Sequence, residues 1–134
     1  MPSIIDIQGI GAAYAEKFRA AGVRSTKALL AKGGTPAGRK ELATATGFTT
    51  KQILEWVNRA DLYRVKGVGS QYSDLLEAAG VDTVMELGNR KADALLATMT
   101  AANQKKNLVN KLPVLSQVSG WIKAAKALKR AVEY

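Results

Sequence analysis

Two short glycine-bracketed segments hold the residues whose types and spacing are suited to chemistry: Gly9-Ile10-Gly11 and Gly67-Val68-Gly69. Glycine reaches backbone angles with positive φ, so a Gly-x-Gly turn can fold sharply and aim successive N–H groups in one direction. If a helix follows at once, those groups run into the free N–H groups of its first turn. Together they form a partly positive cup that fits one phosphate. The cup would consist of Gly9, Ile10, Gly11 and Ala12 in the first hairpin, and of Gly67, Val68, Gly69 and Ser70 in the second. Ile10 and Val68 would point inward as anchors. Two cations lie near: Lys66 inside the second hairpin, and Lys17 one to two turns into the helix after the first. The same turns would equally serve as tight interhelical connections, with glycine there for steric reasons alone.

Other chemistries find little material. The chain has no cysteine and no histidine, which removes disulfides, thiolate nucleophiles, the usual base and the usual zinc ligands. A nuclease would need carboxylates converging on a divalent ion. The candidates Asp6, Asp61, Asp74, Asp82, Glu86 and Asp93 are scattered. Asp82 and Glu86 stand one turn apart, where the helix dipole favours first-turn acids in any case. No serine has a base partner, and so short a chain can hardly enclose a pocket for an extruded base. The expectation is a protein that is not an enzyme, with no catalytic residues, metal or cofactor.

The elements that must position the hairpins emerge from self-comparison. Ile7-Gln8-Gly9-Ile10-Gly11-Ala12-Ala13-Tyr14 matches Val65-Lys66-Gly67-Val68-Gly69-Ser70-Gln71-Tyr72 at an offset of 58. The match runs on through Phe18/Leu76, Ala20-Ala21-Gly22-Val23 against Ala78-Ala79-Gly80-Val81, and Leu29/Leu87. It reaches back to Ser3-Ile4 against Asp61-Leu62, so each repeat is expected to open with a short turn capped by Ser or Asp. A weaker echo pairs Leu42–Thr46 with Leu96–Thr100 and Trp56-Val57 with Trp121-Ile122, at shifting offsets that imply loop insertions. The tryptophans and Tyr14 and Tyr72 read as packing residues rather than base-stacking platforms.

Helices follow from apolar spacing and caps. Tyr14, Phe18 and Ala21 mark one helix face, and Tyr72, Leu75, Leu76 and Ala79 another. Gly22 and Gly80 sit where helices end. Short second helices are expected near Thr26–Lys32 and Thr83–Gly88. Thr35-Pro36 opens a helix that Gly47 closes, Thr49-x-x-Gln52 has the form of a capping box, and Asn89 is a candidate cap for a helix through Leu95, Leu96 and Met99. From Ser116 to the end, Val118, Trp121, Ala125, Leu128 and Val132 make one apolar stripe with Lys123, Lys126 and Arg130 opposite. That basic face would either lie along a phosphate backbone or be a solvated outer face. No segment alternates with period two, so the expected fold is all-α, divided into repeats at 1–60 and 61–134.

Composition agrees. In 134 residues, 47% are apolar, much of it alanine, which favours close-packed helices over strands. The net charge is +9, which raises affinity for polyanions and could otherwise simply keep the protein soluble. Residues 1–60 carry nine Lys/Arg against four Asp/Glu, residues 105–134 carry seven against one, and residues 61–104 are slightly acidic. No apolar run approaches the roughly 18 residues of a membrane span, and Met1-Pro2-Ser3-Ile4 lacks the features of a secretory signal. A cytoplasmic location follows as the default. Membrane-surface binding by the last helix is disfavoured, because its alanine-rich face is needed to cover the second repeat.

The segments Ile7-x-Gly9-Ile10-Gly11-x-x-Tyr14-Ala15, Trp56-Val57-Asn58-x-Ala60-Asp61-Leu62, Val65-Lys66-Gly67-Val68-Gly69-x-x-Tyr72 and Leu75-Leu76-x-Ala78-Ala79-Gly80-Val81-Asp82-Thr83-Val84-x-Glu86-Leu87 resemble a bacterial family of tandem helix-hairpin-helix domains of unknown function. The resemblance covers most of the chain. It implies Gly-hydrophobic-Gly hairpins that grip a DNA backbone without reading sequence. One departure bears on this: such hairpins usually carry Lys or Arg shortly after the second glycine, where this chain has Ala12-Ala13 and Ser70-Gln71. Two functions are therefore expected to compete. One is sequence-independent nucleic-acid binding, with double-stranded DNA first. The other is a protein-interaction adaptor or self-associating scaffold, whose slightly acidic middle segment would suit a basic partner.

Overall fold

A computed structural model describes residues 3–134 of the chain. Met1 and Pro2, on which part of the reading of the opening segment falls, lie outside the described residues. The described chain is all-helical: α1 (Ala12–Ala20), α2 (Thr26–Gly33), α3 (Pro36–Thr46), α4 (Thr50–Leu62), α5 (Ser70–Ala78), α6 (Val84–Gly88), α7 (Ala92–Lys106) and α8 (Leu115–Ala127), preceded by a single 3-10 turn, Ile4–Asp6. No helix among the described residues is long and apolar enough to cross a membrane.

The chain forms two compact units. One comprises residues up to Asp61 together with Arg130–Tyr134, and the other Leu62–Lys129. Each is built the same way: a glycine hairpin, a nine-residue helix, a short second helix, and two longer helices. The hairpin helices α1 and α5 stop alike. Gly22 and Gly80 take positive φ (85° and 92°), and the N–H groups of Val23 and Val81 donate to the carbonyls of Phe18 and Leu76. These bonds satisfy carbonyls that a helix end would otherwise leave without a donor. A cation reinforces each end. Lys32 reaches the carbonyls of Ala21 and Gly22, and Arg90, 58 positions on, donates to that of Gly80.

The following starts also match, with Ser25 capping α2 and Thr83 capping α6 through their side-chain oxygens. Thr35 caps α3, Pro36 occupies its first turn and Gly47 closes it with φ of 83°. Thr49 and Gln52 make the reciprocal bonds of a capping box before α4. At the head of α8 only half of that box exists: Gln117 accepts from the N–H of Val114, whose side chain has nothing to offer in return. The echo between α3 and α7 is also structural, since Thr46 and Thr100 each donate to the carbonyl four residues back.

The second unit has a continuous apolar core that includes Leu62, Val65, Leu75, Leu76, Leu87, Met99 and Val118. In the first, Ile4, Phe18, Leu29, Ile53 and Val57 have no exposed surface, and Phe18, Phe48, Tyr14 and Trp56 form a cluster of edge-on and tilted rings. Edge-on contacts of this kind add to the burial of the rings themselves.

Three expectations need correction. Asn89 does not start a helix. It ends α6, and α7 begins after Lys91. In the second repeat Asp61 caps no opening turn: Asp61 and Leu62 are the last residues of α4, and the turn in which the N–H of Val65 donates to the carbonyl of Leu62 runs on from that helix. The C-terminal helix stops at Ala127, with Leu128 extended (φ −88°, ψ 144°). Val132 is buried as the stripe required, but in a non-helical tail that packs within the first unit. There the N–H of Glu133 donates to the carbonyl of Gly34 (2.7 Å), and Tyr134 bonds Asn58.

Candidate nucleic-acid interface

The two hairpins are duplicates in detail. The N–H of Ile10 donates to the carbonyl of Ile7 (3.0 Å), and that of Val68 to Val65 (3.1 Å). Gly9 and Gly67 adopt φ of 90° and 91°, a region that side chains strongly disfavour. Ile10 and Val68 are buried, while the four glycines and the residues that follow them, Ala12 and Ser70, are exposed. The apolar residue thus nails each turn to its core and leaves the glycine backbone at the surface.

The second glycine of each pair has a different reason to be there. Gly11 and Gly69 are the N-caps of α1 and α5. Their backbones are extended (φ −85° and −101°, ψ −174° and −165°), a conformation any residue adopts. A Cβ on either would meet nothing within 4 Å. Nor does any side chain cap α1 or α5, whereas α2, α3 and α6 each use a Ser or Thr. A Ser or Asp would suit the position at least as well for stability alone. Glycine leaves the start of each helix without a side-chain cap of its own, an arrangement suited to an incoming anion.

Behind each hairpin stands a tryptophan from the unit's last helix. A Cβ on Gly9 would come within 3.3 Å of the Trp56 indole Nε1, and one on Gly67 within 3.1 Å of the Trp121 Nε1. Trp121 also packs against Tyr72 (5.1 Å between centroids), as Trp56 does against Tyr14 (5.9 Å). The tryptophans are buried, as expected, and Tyr72 is half-buried, whereas Tyr14 keeps 39% of its surface exposed although its ring meets Phe48 and Trp56. What spacing does not reveal is that the packing brings indole nitrogens to the hairpin glycines, more than 40 residues away along the chain.

The cations are less symmetric. Lys66 is exposed next to Gly67. Lys17 is exposed on α1 with its Nζ 5.5 Å from the centroid of the Phe48 ring, a cation–π arrangement. Its counterpart in the second unit is the buried Leu75. Lys123 and Lys126 are exposed on α8, the stem of Lys126 lying against Gly88. Arg130 is not on that helix. It belongs to the tail of the first unit, so the structure does not place these three cations on one helical face.

The loop after α7 returns to the second hairpin's helix. Asn103 bonds both the N–H and the carbonyl of Val109, and Tyr72 donates to the carbonyl of Lys111 (3.2 Å). The loop is therefore tied down, and the Lys111 backbone lies against the side chain of the third residue after Gly69. Lys105, Lys106 and Lys111 cluster in the sequence, but their spacing does not say where the loop goes.

Two of the candidate carboxylates are engaged locally. Asp6 accepts from the N–H of Ser3, and Asp93 from that of Ala94. Among the described residues no group of three His, Cys, Asp or Glu is placed to hold a metal ion. A family model described as "Domain of unknown function (DUF4332)" matches residues 8–128. No curated protein and no solved structure matches the chain at a significant level.

Proposed function

The chain belongs to this family of unknown function, and we propose that its two units are tandem helix-hairpin-helix repeats that hold the phosphate backbone of nucleic acid, double-stranded DNA first, without reading its sequence and without catalysing a reaction. The observation that carries this reading is the bare glycine start of α1 and α5, repeated in both units at a position where the fold does not require glycine. The net charge of +9 supplies a sequence-independent driving force through release of counterions from the phosphates. Exposed Lys66 stands beside the second hairpin, and exposed Lys123 and Lys126 on α8 add to the cationic surface.

Titration of the protein against labelled duplexes of two unrelated sequences, at low and near-physiological salt, tests the reading. Equal affinities that fall steeply with salt are expected. Absence of binding at low salt overturns it.

A protein-interaction role is favoured by a different feature, confined to the second unit. Exposed Leu115 borders a shallow groove of about 520 Å³ along α7, lined also by Leu96, Ala97, Thr100 and Ala101. A Leu115→Glu variant that loses a protein partner while keeping DNA affinity would support that role instead.

A further inference from the structure

We propose that the indole N–H groups of Trp56 and Trp121 are phosphate donors at the two hairpins, an inference that rests on the nucleic-acid reading above. The two rings are almost wholly buried, with 8% and 5% of their surface exposed, yet neither indole nitrogen has a hydrogen-bond partner among the described residues. Among the described residues no buried side-chain nitrogen or oxygen lacks a partner, so both Nε1 atoms retain contact with solvent. They do so against Gly9 and Gly67, whose backbones are exposed.

A buried tryptophan normally directs its N–H to an acceptor, because an unmade bond costs free energy. Phenylalanine would fill an apolar site without that cost. Here the unpaired donor is repeated, although Trp121 follows its hairpin by seven more residues than Trp56 follows its own. The neighbouring groups are donors as well: the uncapped first turn of α1 or α5 and, at the second hairpin, Lys66. A surface that offers donors and no capping acceptor suits an anionic, acceptor-rich ligand, and a phosphate oxygen accepting from the indole N–H meets that description. The indole carries no charge, so its contribution is directional rather than electrostatic.

The test is a titration of the ¹⁵N-labelled 134-residue chain with a short DNA duplex at low salt, followed through its two indole resonances. Both should move downfield together with the amides of residues 11–13 and 69–71. Moving amides with stationary indoles would overturn this inference and leave the nucleic-acid reading standing. No movement of any kind would overturn both. Trp56→Phe and Trp121→Phe provide a second measurement. Each should bind roughly tenfold more weakly with an unchanged slope of affinity against salt, whereas wild-type affinity in a folded variant would remove that tryptophan from the contact. If a variant does not fold, the spectra of the wild-type protein decide.

Discussion

The paired glycines of each hairpin separate a folding requirement from a functional one. Gly67 has positive φ and faces the Trp121 nitrogen, so Gly67→Val combines backbone strain with a clash and should cost about 2–4 kcal/mol, read as a lowered midpoint in thermal melting. Gly69 has neither constraint. Gly69→Ser should change stability by only a few tenths of a kcal/mol, while its hydroxyl occupies a first-turn N–H and weakens DNA binding several-fold. If Gly69→Ser binds like the wild type, the bare helix start is not the contact. Lys66→Glu should leave the melting curve unchanged, since Lys66 is exposed. It should also lower the slope of log affinity against log salt by about 1 if Lys66 meets one phosphate. An unchanged slope would place the DNA elsewhere. The glycines, Ile10 and Val68 were legible from spacing because a turn and its anchor are settled within five residues. The indole nitrogens were not, because tryptophan on an apolar face predicts burial and says nothing about where its one donor emerges.

Helix starts and stops carry the duplication better than residue identity does. Ser25 and Thr83 cap with the same bond, Lys32 and Arg90 close the preceding helix with the same kind of bond, and Gln52 and Gln117 both accept from the N-cap backbone. Thr83→Ala removes the side-chain acceptor of α6, a five-residue helix. It should cost about 1 kcal/mol, measurable as faster hydrogen exchange in the first turn of α6 with α2 unaffected. Equal exchange in wild type and variant would mean that packing alone holds α6. Two misread boundaries have physical causes. Asn89 is as suitable for ending a helix as for starting one, and the end of α6 used it. The stripe through Val118, Trp121 and Ala125 continues to Leu128 and Val132 in helical register, but periodicity records only that a residue is buried, and Val132 is buried without a helix.

At the scale of the whole molecule, the last five residues complete the first unit rather than the second. Arg39, only 5% exposed, donates to the carbonyls of Gly33 (2.9 Å) and Glu133 (2.6 Å). Deleting residues 130–134 would remove the second acceptor, expose the site of Val132 and strip Gly34 of its donor. The first unit should lose about 2–4 kcal/mol. Hydrogen exchange should show its amides opening earlier while those of residues 62–129 keep their protection. Uniform loss across both units, or none, would contradict this division of the chain.

The sequence by itself determined what is settled over a few neighbouring residues: an all-helical chain, two glycine hairpins with inward Ile10 and Val68, and most caps and stops. Backbone angles, capping bonds and helical periodicity are local, so residue type and spacing suffice to read them. Only the tertiary structure decided what depends on distant segments meeting. It sent the tail back to Gly34 and Arg39, brought the Lys111 backbone to Tyr72, left Arg130 outside the helix that carries Lys123 and Lys126, and placed the Trp56 and Trp121 nitrogens at Gly9 and Gly67. Such meetings are fixed by how whole helices pack, and no pattern confined to one segment contains that information.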